Sequence, residues 1–441
     1  MRFRCLLFNS TYALLWIAMM LSQVAFAEDE LPIATGPTAA RFASFDQLMQ
    51  TFLREHKIPG GALAVAQNGE LIYARGFGWA DREAQQAVQP DSLFRIASIS
   101  KPVTAVAVMR LVEQRRLSLD DHVFDILDRA QANERQTAVS SVEPAFADER
   151  LGQITIRQLL QHTAGWDRDV SFDPMFRSVK IARELQVDPP AKPEHVIRYM
   201  RRQPLDFAPG ERYAYSNFGY CLLGRVIERV TGQGYEEYVR AEVLRPLGIN
   251  AMRIGKTQLG GRAGGEVRYY TGRNGTGDKD TGGDAMGDSV FAVGERVPLP
   301  YGAWHLEAMD SHGGWIASAV DLVRFGSAIQ HPAERPLLSV ASREAMFARP
   351  AGAAGWNEDG SPKDVYYGCG WSVRDVGSER FNYWHTGSLD GTSTILVLRH
   401  DGLCWAVLFN TRDSSSGEAP ARIIDPLVHK AANQMLEATD Q

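Results

Sequence analysis

Two hairpin signals near opposite ends of the chain constrain the fold more than any other feature. Near the start, Ala62 to Ala66 and Leu71 to Gly76 flank Asn68-Gly69. Near the end, Thr392 to Arg399 and Cys404 to Asn410 flank Asp401-Gly402. Both are β-rich runs about a two-residue turn that reverses a strand tightly. Tyr366 to Val373 reads as a further strand. The early hairpin and the late strands are expected to share one antiparallel sheet, with the middle of the chain inserted between them. No internal repeat is visible.

That middle reads as helical and irregular. Thr155 to His162, His195 to Arg202, Asn217 to Val230 and Tyr235 to Leu244 have helical patterns, with Gly232 and Pro246 as stops. Outside it, Phe45, Leu48, Met49 and Phe52 recur at helical spacing, and a terminal helix is expected from about Ala419 to Leu436. The helix that Ser98 opens is apolar nearly all round, with Ala105, Val108, Met109 and Val112 on one face, so it is expected to be buried.

The first 27 residues read as an export signal. Arg2 and Arg4 precede an apolar run densest from Tyr12 to Leu21, and Ala25-Phe26-Ala27 offers small residues for cleavage before Glu28-Asp29-Glu30. The alternative is an uncleaved anchor, for which the apolar run is short. No later segment is apolar enough to span a bilayer, so the mature chain is expected to be periplasmic or secreted, without a membrane span. Residues 28–42 read as a flexible lead-in. Removing residues 1–27 leaves 45 basic against 53 acidic residues, a net charge of −8. Without a dense basic run, nucleic acid is not an expected partner. Cys221, Cys369 and Cys404 remain after cleavage, an odd number that forbids complete internal pairing, and buried free thiols are the favoured reading. Residues 271–289 are rich in Gly, Asp and Thr; Asp278, Asp280, Asp284 and Asp288 invite a calcium reading, but the spacing lacks an EF-hand's closing Glu, and a surface loop is favoured.

Three short elements carry chemistry. In Ser98-Ile99-Ser100-Lys101, residues three apart share a helix face, so a hydroxyl and an amine stand side by side. Serine is a poor nucleophile until a neighbour takes its proton, and a lysine does so when burial lowers its pKa. Alone, the pattern reads as well as a plain helix cap. Tyr215-Ser216-Asn217 adds a phenol and an amide on an extended approach to a helix, although Asn217 would also serve as that helix's cap. His385-Thr386-Gly387-Ser388 lies on an apparent strand, where Gly387 would let a substrate backbone approach closely. His385 alone reads more simply as a satisfied surface histidine.

Taken in this order, the three elements resemble the serine β-lactamase and penicillin-binding superfamily, whose signature is S-x-x-K, S-D-N and K-T-G. Tyr-Ser-Asn and His-Thr-Gly as second and third motifs resemble the branch of AmpC-type β-lactamases, D-alanyl-D-alanine carboxypeptidases, D-aminopeptidases and related esterases. Leu159-Leu160-Gln161-His162-Thr163-Ala164-Gly165 and His312-Gly313-Gly314 are similar to further stretches of that branch. The likeness runs from about residue 43 to about residue 430.

The resemblance implies an α/β (α+β) fold: an antiparallel sheet flanked by helices, about 43–116 and 305–438, with a mostly helical part, about 117–304, inserted. The whole catalytic domain would span 43–438. It implies that Ser98 is acylated, Lys101 takes its proton, and Tyr215 assists and protonates the leaving group. Asn217 would hold the substrate's amide side chain. The backbone N–H groups of Ser98 and Ser388 would form the oxyanion hole, and His385 and Thr386 would face a substrate carboxylate. No cofactor or metal is implied. Substrates would be D-amino-acid peptides of the cell wall, β-lactams, or related amides and esters. Histidine at position 385, where AmpC-type β-lactamases resemble one another in having lysine, counts against a dedicated β-lactamase. A carboxylesterase of the same fold and a non-catalytic penicillin-binding-like module are the alternatives. No G-x-S-x-G, H-E-x-x-H or Walker loop occurs.

Overall fold

The computed structural model describes residues 31–134, 145–271, 284–330 and 336–439. The export-signal reading of residues 1–27 lies outside these, as do Asp278 and Asp280. Among the described residues no helix is long and apolar enough to cross a membrane.

The sheet forms as the hairpins require. Asn68 and Gly69 both take positive φ, 50° and 90°, the geometry of a tight turn between strands of native twist. In chain order the strands are β1 (Ala34–Thr35), β2 (Gly60–Gln67), β3 (Glu70–Asp81), β4 (Val365–Tyr367), β5 (Ser372–Asp375), β6 (Phe381–Leu389), β7 (Thr392–Leu398) and β8 (Leu403–Phe409). Their spatial order is β1-β3-β2-β8-β7-β6-β5-β4, every pairing is antiparallel, and Gln86–Ala87 adds a short ninth strand against β3. The two ends of the chain therefore meet at the β2–β8 seam, where Gly61 faces Phe409 and Gln67 faces Leu403.

Alternation along the strands sorts side chains to two layers. Leu63, Val65, Ile395, Val397, Trp405, Val407 and Phe409 pack on one face against α1 (Ala43–Glu55) and the terminal helix. Ala62, Ala64, Ala66, Leu396, Cys404, Ala406 and Leu408 pack on the other, in a core shared with α2 (Ser100–Glu113), α3 (Val123–Glu134), α4 (Asn217–Thr231) and α5 (Ala319–Gln330). The terminal helix, α6, is Pro420–Thr439. The alanines of β2 have a purpose: α5 lies so close to the sheet that a Cβ at Gly326 would come within 2.8 Å of Cys404 Sγ.

The fold differs from expectation in particular places. The run Tyr366 to Val373 is two strands, broken because Gly370 turns at φ +84° directly onto α2, where a Cβ would lie 2.6 Å from the Ala105 methyl. Tyr235 to Leu244 is α-helical only to Val239; Arg240–Leu244 form a wider π turn. Cys221, Cys369 and Cys404, by contrast, are free and buried as expected. Asp284 accepts hydrogen bonds from Thr271, and Asp288 pairs with Arg296 on a two-stranded ribbon.

Candidate active site

Ser98 does not open α2. It sits in a 3-10 turn, Ala97–Ile99, immediately before it. The turn is strained: Ala97 has φ +46°, uncommon for a residue with a Cβ. Neighbours hold it there. Ile96 N–H donates to the Trp315 carbonyl at 3.0 Å. The Ile96 carbonyl accepts from Thr394 Oγ1 at 3.1 Å, and the Arg95 carbonyl from Thr392 Oγ1 at 2.8 Å. The Arg95 guanidinium is wholly buried, donates to the Pro300, Lys256 and Thr257 carbonyls, and has Glu266 3.9 Å away.

Lys101 follows one turn later and is fully buried. Its Nζ has three oxygen neighbours: Asn217 Oδ1 at 2.8 Å, the His312 carbonyl at 2.9 Å and Ser98 Oγ at 3.2 Å. Burial holds this amine well below the ordinary lysine range; Asp173 opposes that shift and Arg168 adds to it. A neutral amine has two N–H bonds and one lone pair. The amide and carbonyl oxygens can only accept, so they take the two N–H bonds. The lone pair is then left for the Ser98 hydroxyl, which is the arrangement of a general base.

The orientation of the Asn217 amide is fixed from its other end. Its Nδ2 donates to Asp173 Oδ2 at 2.7 Å, which turns Oδ1 toward Lys101. Asn217 is not the cap of α4. Ser216 is, accepting from Gly219 N–H at 3.3 Å, and this frees the Asn217 side chain for the cleft. Tyr215 lays its ring 4.7 Å from Lys101 Nζ and lines the cleft with Ser98. Burial raises that phenol, keeping it protonated. His162, held at φ +57°, props this segment: its Nδ1 accepts from Ser216 N–H at 3.2 Å, and its ring lies against Tyr215, Tyr220 and Tyr367.

The third motif lies on β6, across the cleft. β5 pairs with β6 only from Phe381 to Trp384. From His385 onward β6 has β7 on one side, while its own residues border the cleft. The cleft holds about 770 Å³ and is lined by Ser98, Tyr215, Asn217, His385, Thr386 and Ser388 among others. Lys101 lies buried behind Ser98, and Gly387 faces Ile96 on the inner side of β6.

Two expectations about β6 need correction. His385 is not an exposed histidine; it is 4% exposed. Its Nε2 is 2.9 Å from the Tyr367 hydroxyl and its Nδ1 is 2.7 Å from the Thr386 carbonyl. A carbonyl only accepts, so Nδ1 carries the proton and Nε2 accepts from Tyr367. Burial, with help from Lys101, pushes His385 down to about 3, and the ring is neutral near pH 7. Gly387 is required from below rather than from the substrate side, since a Cβ there would lie 2.1 Å from the Ile96 carbonyl. Its missing side chain lets β6 press on the turn that carries Ser98.

Asp173, Arg168 and Tyr367 were not singled out from sequence. Asp173 precedes Pro174 and caps a short turn through Met175 N–H, so a capping role hides its second contact. It is largely buried (side-chain exposure 13%), with Arg168 at 4.0 Å. Burial raises its carboxyl, against the pull of Asn217, the Met175 N–H, Arg168 and Lys101.

Residues 45–428 match the model of the family described as Beta-lactamase. Esterase EstB of Burkholderia gladioli is 34% identical over 239 residues, 53% of this chain and 54% of that one. Penicillin-binding protein 4* of Bacillus subtilis is 26% identical over 79% of this chain and 67% of that protein. The match thus spans only about half the length of the esterase. Among solved structures, the octameric penicillin-binding protein homologue from Pyrococcus abyssi is 25% identical, with a TM-score of 0.61 over 86% of this chain and 74% of that one. The strained serine turn, the lysine buried behind it and the strand facing both thus stand in a chain that belongs to the β-lactamase family.

Proposed function

We propose that the chain is an exported serine hydrolase that forms an acyl-enzyme on Ser98 and cleaves carboxylic esters and related amides. The observation that carries this reading is the buried Lys101 Nζ, 3.2 Å from Ser98 Oγ, with Asn217 Oδ1 and the His312 carbonyl as acceptors for two N–H bonds; a neutral amine so held would turn its lone pair to the hydroxyl. Ser98 Oγ attacks the acyl carbonyl as its proton passes to Lys101. The leaving group departs with a proton supplied through the Tyr215 phenol. Water then attacks the acyl carbon by the same route, and Ser98 recovers its proton. The Ser98 and Ser388 N–H groups are proposed to receive the oxyanion.

Uncharged substrates are preferred in this reading because β6 presents a neutral His385. The cleft's two arginines are already engaged: Arg412 donates to Asp390 at 2.9 Å, and Arg168 stands beside Asp173. The likeness to an esterase points the same way. A second reading, cleavage of D-amino-acid peptides or β-lactams, is favoured by the part of β6 beyond the end of β5. An extended peptide backbone adds to such an edge.

The test is intact-mass analysis after a fluorophosphonate, together with turnover of a short-chain nitrophenyl ester, a D-Ala-D-Ala peptide and nitrocefin. One adduct on the Ser98 peptide and fastest turnover of the ester are expected. Turnover without an adduct at Ser98 overturns the mechanism; faster peptide cleavage selects the second reading. Export is tested separately: the chain recovered from a periplasmic fraction is expected to begin at Glu28.

A further inference from the structure

β6 divides two cavities. Its His385, Gly387 and Leu389 turn toward α2, while Trp384, Thr386 and Ser388 turn toward α6. Behind the strand, between the sheet and α6, lies a cavity of about 570 Å³, within the range of small-molecule sites. Its floor is apolar, formed by Ile395 and Val397 of β7 with Ala421 of α6, and Trp384 flanks them. Asp425 borders the cavity from α6 with about a third of its side chain exposed (31%); its Oδ1 is buried behind, without a hydrogen-bond partner and 3.8 Å from His429 Nε2. Burial pushes Asp425 up to about 6 and His429 down to about 4, so near pH 7 the carboxylate is charged and the imidazole is neutral. Arg374, stacked on the Trp384 ring at 5.2 Å, and the exposed Arg422 also line the cavity. Among the described residues neither guanidinium forms an ion pair with a carboxylate. The cavity thus offers a carboxylate that feels Arg374 without touching it, two guanidiniums that contact no carboxylate among the described residues, and an apolar floor. Thr386 and Ser388 border both this cavity and the catalytic cleft.

We propose that the rear cavity is a second binding site, for a small zwitterion with an apolar body such as an amino acid, and that its occupancy acts on the cleft through β6. The ammonium group lies against Asp425, the carboxylate against Arg374 and Arg422, and the side chain on Trp384, Ile395 and Val397. An amino acid is also what amide cleavage in the cleft would release, so the site would report product.

Calorimetric titration of the full chain with D-phenylalanine, phenethylamine and 3-phenylpropionate tests this. D-Phenylalanine is expected to bind most tightly. Asp425→Asn should weaken it about tenfold and abolish phenethylamine binding, and Arg422→Ala should weaken 3-phenylpropionate and D-phenylalanine. D-Phenylalanine at its wild-type Kd should change kcat/KM for a nitrophenyl ester in the wild type and far less in Asp425→Asn. Three results overturn the proposal: equal binding of the three probes, affinities untouched by both substitutions, or no saturable heat up to about 10 mM. Heat is read without turnover, so failure of the esterase reading leaves this result standing.

Discussion

The two walls of the cleft are built by opposite means. On the helical wall, Ser98, Lys101, Tyr215 and Asn217 are tied to one another, and each polar atom of the Lys101–Asn217–Asp173 chain has a fixed partner. On the strand wall, Thr386 and Ser388 are exposed, and the one basic group of β6, His385, is turned inward onto Tyr367 and kept neutral by its burial. The difference separates two tasks. Proton transfer needs its groups held in advance, because misplacement costs rate steeply. Substrate choice needs a surface that an incoming group completes. Chemistry is therefore expected to respond sharply to changes in the helical wall, and specificity to respond mildly to changes in the strand.

The largest effect belongs to the helical wall. Lys101→Ala is expected to cut the acylation rate by about 10²–10⁴-fold, with KM little altered, as read by stopped-flow with a nitrophenyl ester. For the same reason kcat/KM should fall as pH falls, because protonating Lys101 removes the lone pair that Ser98 needs; its lowered pKa puts this limb on the acid side of the ordinary lysine range. An unchanged acylation rate in folded Lys101→Ala would break the comparison at its root.

Gly387→Ala comes next and joins the two walls. The new methyl meets the Ile96 carbonyl, and relieving that overlap is expected to cost about 1–3 kcal/mol in a denaturant melt, with loss of turnover as the Ser98 turn shifts. Full stability and rate would mean that β6 moves freely against the turn.

Asp173→Ala sharpens the account of the helical wall. Freed from Asp173, the Asn217 amide no longer has to turn Oδ1 toward Lys101. About a tenfold fall in kcat is expected, equal to about 1.4 kcal/mol in the barrier, with KM nearly constant. A rise in KM at constant kcat would instead make Asp173 a substrate contact.

The smallest effect tests the strand wall. With His385 neutral across the working range, the ratio of kcat/KM for nitrocefin to that for a neutral ester should not change between about pH 5 and 8. Tyr367→Phe removes the donor to Nε2 but leaves the burial that holds the ring neutral, so the ratio should stay flat in that variant too. A ratio that already varies in the wild type would restore His385 as a reader of carboxylates.

What could be read from sequence follows the range of the forces involved. The sheet, the helices and the pairing of Ser98 with Lys101 are written in local periodicity and turn chemistry, which act over a few residues. Asn68-Gly69 and the helical spacing of Phe45 to Phe52 show this. The environment of a side chain is set by elements far apart in the chain, and there the reading failed. His385 reads as exposed because nothing near it announces Tyr367. Gly387 reads as room for substrate because its real neighbour, Ile96, is brought in by the fold. Asp173 escapes notice because its partner Asn217 lies 44 residues further on.

The seam between β2 and β8 orders events in time. A chain made from its N-terminus presents Ser98 and Lys101 early, yet the carbonyls flanking the serine turn are gripped by Thr392 and Thr394, 297 and 298 residues further on. Contacts of such long separation form late, after a large loss of chain entropy. A nascent or truncated chain therefore carries the reactive pair without the clamp that aims it. Until the last strands are synthesised and docked, the turn that carries Ser98 lacks two of the contacts that hold it.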